Sequence, residues 1–222
     1  MQLYGRGIRR RLAPMLGNDR RRLEMAYALQ LSLPGTPVIR YGDEIGMGED
    51  LSLPERNAIR TPMQWSAAPH GGFSTAARKR DLRRPVIDDD EYGYQHVNVE
   101  TQDRDPSSLL AWFRRALLTL RECPEFGIGT CRYVDTGDRA VLALVHEAPS
   151  GVMLAVTNLG STKRTVDLGP QDGADGDPIE MFADRAYPAV GPRLDGLEIA
   201  GYGYRWLRLR RTLGARAGSS QR

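Results

Sequence analysis

Apolar positions change texture along this chain. Over residues 23–33 they run almost all round a helical wheel, and Asn18-Asp19 stands ready to cap a turn starting at Arg20. That pattern predicts a helix packed against something large. Pro34-Gly35 ends it, and residues 36–41 read as a short strand. Residues 42–48 are rich in turn formers and put two acids, Asp43 and Glu44, at the strand's C-terminal end. From Glu49 to about Asp103 there is little periodicity, which predicts a long ordered loop region. Asp105-Pro106-Ser107-Ser108 then opens a second helix, with Pro106 in its first turn. Leu109, Trp112, Phe113, Ala116, Leu117 and Leu120 form its apolar face.

After Gly129 the period shortens. Residues 139–146 and 152–157 read as strands joined across Pro149-Ser150-Gly151, and 163–168, 179–182 and 204–209 continue the pattern. Short strands separated by Gly/Pro turns predict a small antiparallel sandwich. The first part, by contrast, offers one strand between two long helices. A lone parallel-type strand can neither bury both faces nor close a sheet, so that part reads as incomplete. The domain expectation is an incomplete α/β part over 1–129, a β-sandwich over 130–211 and a disordered tail over 212–222.

Composition narrows the class. The 222 residues are 41% hydrophobic and 27% charged, an ordinary globular balance. No apolar run approaches the roughly 18 residues of a membrane span, and Met1 to Arg6 lacks the apolar core of a secretory signal, so a cytoplasmic chain is expected. Net charge is +3, but Lys79 and Lys163 are the only lysines and all other basic residues are arginine. Such lopsided usage points to genome-wide base composition more than to nucleic-acid binding. The runs Arg9-Arg10-Arg11 and Arg20-Arg21-Arg22 could touch phosphates, yet read more simply as solvated helix ends. Cys123 and Cys131 fit neither a disulfide framework nor a zinc site and are expected to be free thiols. His70, His96 and His146 fall in no nucleophilic or metal-ligand spacing. The acidic run Asp88-Asp89-Asp90-Glu91 reads as a solvated loop. Asp43 and Glu44 cannot both flank one bond if the strand continues through them, because neighbours on a strand point to opposite faces.

Two motifs carry a resemblance. Gly35-Thr36-Pro37-Val38-Ile39-Arg40-Tyr41-Gly42-Asp43-Glu44-Ile45-Gly46-Met47 resembles the segment around the eighth barrel strand of the α-amylase family of glycoside hydrolases. Arg60-Thr61-Pro62-Met63-Gln64-Trp65 followed by Gly71-Gly72-Phe73-Ser74 resembles the α-glucosidase and trehalose synthase branch, and the arginine-rich opening over residues 3–16 favours the trehalose synthase side. The likeness extends through the helix after Asp105 and the sandwich, leaving out only the tail. It implies a fold that is α/β plus all-β: the C-terminal remnant of a (β/α)8 barrel followed by a small antiparallel β-sandwich. In such barrels catalytic groups sit at the C-terminal ends of strands. The family is a retaining one that uses two carboxylates about 5 Å apart. Its three catalytic acids lie on the fourth, fifth and seventh strands, so the resemblance places none of them in this chain.

What it does place here is part of a sugar site. The arginine matching Arg60 helps hold a terminal glucose in the α-glucosidase branch, and a guanidinium suits this because it donates to hydroxyls and pairs with a carboxylate at once. The competing reading has Arg60 pinning its loop. Arg56, Glu44 and Asp43 join it as candidate substrate-binding residues, the two acids lining the entrance or fixing the loop. Trp65 and Phe73 could stack on a sugar, with a core role preferred for Trp65. Arg40, Asp43 and Glu49-Asp50 depart from the usual trehalose synthase pattern.

The complete enzyme would interconvert maltose and trehalose, with an α-linked glucose disaccharide as substrate, while this portion alone would be inactive. It would pair with an N-terminal barrel polypeptide or self-associate through exposed apolar faces. No cofactor is expected. Calcium, bound by many relatives, has no ligand cluster visible here. The alternatives are a fragment of an α-glucosidase or α-amylase-type hydrolase, and a carbohydrate-binding module using Tyr202, Tyr204 and Trp206.

Overall fold

The structure is a computed structural model that describes residues 8–172 and 176–209. The tail expected at 212–222 and the first residues of the opening motif lie outside the described residues. The chain divides into two compact units, one comprising Met1–Glu24 with Val38–Leu117 and the other Met25–Pro37 with Leu118–Arg222.

The first unit contains helices and loops. A single turn, α1 (Leu12–Met15), leads into α2 (Arg20–Ser32), of which residues 20–24 belong to the first unit and 25–32 to the second. Asp19 caps α2 as its position predicts: Oδ1 accepts from the backbone N–H groups of Arg21 at 2.9 Å and Arg22 at 3.2 Å. The strand expected at 36–41 is not formed, and Val38 is 78% exposed. A strand exists by pairing, and none of the described residues offers it a neighbouring ladder. Beyond it the chain reverses through Gly42 and Gly46, with φ of 88° and 73°, around a 3-10 turn at Asp43–Ile45. A Cβ at Gly42 would run into the Met47 side chain, so both the positive φ and the close approach demand glycine.

The long loop predicted over 49–103 is present and contains a helix that periodicity missed, α3 (Val99–Arg104). Asn98 caps it, its side chain accepting from Thr101 N–H at 2.8 Å. The second long helix, α4 (Leu109–Glu122), starts later than the sequence suggests. Asp105 Oδ1 accepts from Ser107 N–H and Oγ–H, forming a turn that takes in Pro106. Ser108 serves as the cap instead, accepting from Ala111 N–H at 3.1 Å. Burial along α4 ends at Ala116; Leu117 is exposed and Leu120 half-buried where the apolar face was expected to continue.

The second unit is built on antiparallel sheet. A short helix, α5 (Glu125–Ile128), precedes β1 (Thr130–Val134), β2 (Val141–Ala148), β3 (Gly151–Asn158), β4 (Arg164–Val166), β5 (Ile179–Ala183), β6 (Leu197–Ile199) and β7 (Tyr204–Leu209). Five strands form one sheet in the order β1-β2-β3-β7-β5, while β4 and β6 pair separately. Register pairs Leu154 with Val145 and Leu207, so one face carries Val141, Ala143, Val145, Val152, Leu154, Val156, Leu207 and Leu209. This face shares a core with Val166, Leu168, Leu194, Leu197 and Ile199. The opposite face carries His146, Met153, Ala155, Tyr204 and Trp206, and Phe126 of α5 packs its ring edge-on to both His146 and Trp206. Every residue of β3 is buried, as a central strand covered on both sides requires.

That burial removes one expectation. Tyr204 and Trp206 are enclosed, with Phe182 packed against both rings, so they form no exposed aromatic platform for a glucan. Leu154→Ala should lower stability by about 2–5 kcal/mol in urea unfolding, whereas Tyr133→Ala on the exposed part of β1 should change it by less than about 0.5 kcal/mol.

Candidate functional site

Within the first unit, three loop segments enclose a cavity of about 460 Å³. Tyr41 and Glu44 come from the turn after residue 40, residues 60–63 with Trp65 from the motif loop, and Phe73, Leu82, Arg83 and Arg84 from the segments beyond. The walls are tied together by side chains reaching for backbone carbonyls. Tyr41 OH donates to Thr61 O at 2.9 Å, and Arg40 donates through Nε and an Nη to Ile59 O. Arg84 donates to Arg60 O at 3.3 Å and to Asn57 Oδ1 at 3.0 Å. Gln64, fully buried, donates to Tyr92 O and Val97 O. Trp65 is gripped only by its backbone, donating to Gly71 O at 2.7 Å and accepting from Glu100 N–H at 2.9 Å.

The candidate residues separate. Glu44 and Arg60 meet at the cavity. Asp43 does not line it: Oδ1 accepts from an Arg11 Nη at 2.9 Å and Oδ2 from Arg40 N–H at 3.3 Å. Arg56 is exposed on the 3-10 turn at Glu55–Ile59 and is absent from the lining. Trp65 is not a core residue; it is 50% exposed and Phe73 52%, and both rings face the cavity. Its preceding neighbours Met63 and Gln64 took the buried places, Gln64 held there by its bonds to Tyr92 O and Val97 O.

Within the arginine runs Arg9, Arg10 and Arg21 are exposed, and one residue departs from the solvated reading. Arg11 is 3% exposed and donates to Tyr41 O, Asp43 and Ile59 O, with its guanidinium 5.5 Å from the Tyr41 ring centroid. It is a buried cross-brace and not a solvated helix end. Arg10 pairs with Glu49 at 2.7 Å, and Arg20 with Glu24 at 2.7 Å and Ser108 O at 2.9 Å. Asp88, Asp90 and Glu91 are exposed, while Asp89 accepts from Glu91 and Tyr92 N–H in a turn.

Burial pushes the carboxyls of Glu44 and Asp43 above their ordinary range. For Glu44 this is offset in part by the backbone N–H groups of Glu44 and Gly42, and for Asp43 by Arg11. Glu44 is the one carboxylate among the described residues that line the cavity. Sequence spacing hid one further contact: register sets Cys131 beside His146, with Sγ 3.6 Å from Nε2. Burial raises the thiol and lowers the imidazole, so the pair is neutral and supplies no thiolate. Both cysteines are free. Among the described residues no three His, Cys, Asp or Glu side chains gather where a metal could sit, and no helix is long and apolar enough to cross a membrane.

Residues 9–126 match the family described as Alpha amylase, catalytic domain. The chain belongs to the α-amylase family. It is 44% identical over 207 residues to the trehalose synthase of Pimelobacter sp. (strain R48), covering 91% of this chain and 36% of that protein. It is 41% identical over 213 residues to the trehalose synthase/amylase of Mycolicibacterium smegmatis, covering 92% and 36%. The chain thus spans about a third of the length of these α-amylase-family relatives. In fold it resembles the crystal structure of the trehalulose synthase of Pseudomonas mesoacidophila MX-45, with a TM-score of 0.70 at 20% identity over 90% of this chain and 41% of that one.

Removing Arg11 should expose what the brace does: Arg11→Ala takes a donor from a half-buried carboxylate and from two backbone carbonyls, and should cost about 3 kcal/mol in chemical denaturation. Glu44 predicts a pH effect of the opposite sign to an ordinary paired acid. Its folded form holds the proton above the unfolded value of 4.5, so stability falls as pH rises through 4.5 toward the folded value. Glu44→Gln should flatten that decline and leave the protein more stable at pH 7, read by thermal unfolding across pH 4–8.

Proposed function

We propose that this chain is the C-terminal portion of a trehalose synthase-like enzyme: the last part of a (β/α)8 barrel over 1–129 and a β-sandwich over 130–211. Completed by an N-terminal barrel polypeptide, joined or separate, it interconverts maltose and trehalose by a retaining mechanism. The observation that carries this reading is the cavity where Glu44 and Arg60 meet beside two half-exposed aromatic rings, in a chain of this family. Cavities of this size, apolar with a few converging polar groups, suit a small carbohydrate. Trp65 and Phe73 offer flat faces to a pyranose ring, and the Arg60 guanidinium has no acceptor among the described residues, which leaves its donors for hydroxyl groups.

Retention needs two carboxyl groups: one attacks the anomeric carbon while the other protonates the departing oxygen. The cavity supplies a single carboxylate. In this reading the nucleophile and the acid/base come from the N-terminal part, whose strands would also cover Val38. The released glucose then re-attacks the glucosyl intermediate through a different hydroxyl, and excluding water favours this over hydrolysis. Asp43, held by Arg11, positions the turn that presents Glu44. The chain is assigned to the cytoplasm, and no metal is assigned to it.

Incubated with maltose, the purified chain should give neither trehalose nor glucose by product chromatography. Mixing it with the N-terminal segment of a trehalose synthase should restore trehalose formation. Trehalose from the chain alone would overturn the division of catalytic groups. Glucose without trehalose would point to an α-glucosidase.

A further inference from the structure

Arg60 combines a held backbone with a free head. The carbonyls of residues 59, 60 and 61 each accept from a side chain of another segment. Ile59 O takes an Arg11 Nη at 3.1 Å together with Arg40 Nε at 3.3 Å and an Arg40 Nη at 3.1 Å. Arg60 O takes an Arg84 Nη at 3.3 Å, and Thr61 O takes Tyr41 OH at 2.9 Å. Arg60 N–H donates to Asn57 O at 3.0 Å, which closes the 3-10 turn at Glu55–Ile59. All of these bonds hold main chain, and none uses the Arg60 guanidinium.

Arg84 contributes a contact that the others do not. One of its Nη atoms ends on Arg60 O and the other, at 3.0 Å, on Asn57 Oδ1. A planar fork can span two acceptors in this way, whereas an ammonium is a point charge on a flexible stem. Asn57 is thus tied to Arg60 twice, through its own carbonyl and through Arg84, yet it does not line the cavity. A long side chain whose backbone is fixed beforehand loses less freedom when its tip takes up a ligand.

We propose that Asn57 and Arg84 are positioning residues for sugar binding: their clamp fixes the main chain at Arg60 so that its guanidinium meets the sugar hydroxyls. The proposal rests on the reading of the cavity as a sugar site.

Asn57 makes the test direct, because a change there reaches the cavity only through other residues. Trp112 and Trp206 are 2% and 0% exposed, so fluorescence of the full chain titrated with maltose reports on Trp65. Asn57→Ala should weaken maltose binding about fivefold, and Asn57→Asp, which keeps an acceptor for Arg84, should restore it to within about twofold. Arg84→Lys should match Asn57→Ala, and it carries the same comparison if Asn57→Ala loses the parent circular dichroism. In an Arg60→Lys background there is no guanidinium to align, so adding Asn57→Ala should change affinity by less than about twofold. Unchanged affinity in Asn57→Ala and Arg84→Lys, equal losses in Asn57→Ala and Asn57→Asp, or a full fivefold loss in the Arg60→Lys background each overturns the positioning role and leaves the sugar reading standing. A parent chain that does not bind maltose overturns both.

Discussion

Backbone polar groups that fold away from water must be paired, and among its described residues the first unit does this without a β-ladder. Its solution is to send long polar side chains inward to meet carbonyls. Arg11 is the extreme case. One guanidinium satisfies the carbonyls of Tyr41 and Ile59 and the carboxylate of Asp43, tying together three stretches separated by up to 48 residues. Gln64 does the same for Tyr92 and Val97, and Gln102 donates to Ile45 O while accepting from Leu110 N–H. The cavity is a by-product of these ties. Its walls are loops, and each loop is fixed because a buried side chain from another loop ends on its backbone.

The second unit meets the same requirement in the usual way. Its sheet pairs the backbone, and side chains are free to make an apolar core on one face and an aromatic cluster on the other. Where a charge is buried there it is fully engaged: Arg205 meets Glu180, two carbonyls and the Tyr187 ring. The two units therefore differ in how they are built, and the loop-built one gathers guanidinium and aromatic groups around a single cavity.

This difference also governs what could be read from the sequence. The strands β2, β3 and β7 were legible as short, largely apolar runs bounded by Gly and Pro turn signals, and α2 was legible because its cap and its stop both have local chemical causes. β1 and β6 were not. β1 exposes Arg132 and Tyr133, and β6 is three residues long, so neither writes a period. The strand read at 36–41 failed for another reason: its residues favour extension, but strand formation depends on a partner that local sequence does not contain. Within the site, Glu44 and Arg60 were picked out through resemblance. Arg83 and Arg84 were passed over because they sit among many arginines, and only the cavity distinguishes them from Arg11, whose guanidinium is spent internally. The Cys131–His146 contact was invisible for a simpler reason, since it depends on strand register.

Charge asymmetry in the cavity separates binding from bond-breaking. A displacement at an anomeric carbon calls for two carboxyl groups in complementary protonation states, and the cavity has one, with its proton affinity raised by burial. Arginines cannot take the missing role, because a guanidinium neither attacks carbon nor gives up its proton near neutral pH. What they can do is orient an oxygen-rich ligand and hold it while acids from elsewhere act. Glu44 fits the same division: burial moves its carboxyl toward the protonated form, and it shares the cavity lining with Arg60, Arg83 and Arg84. The features that make this wall a poor catalyst by itself are therefore those that make it a binding surface.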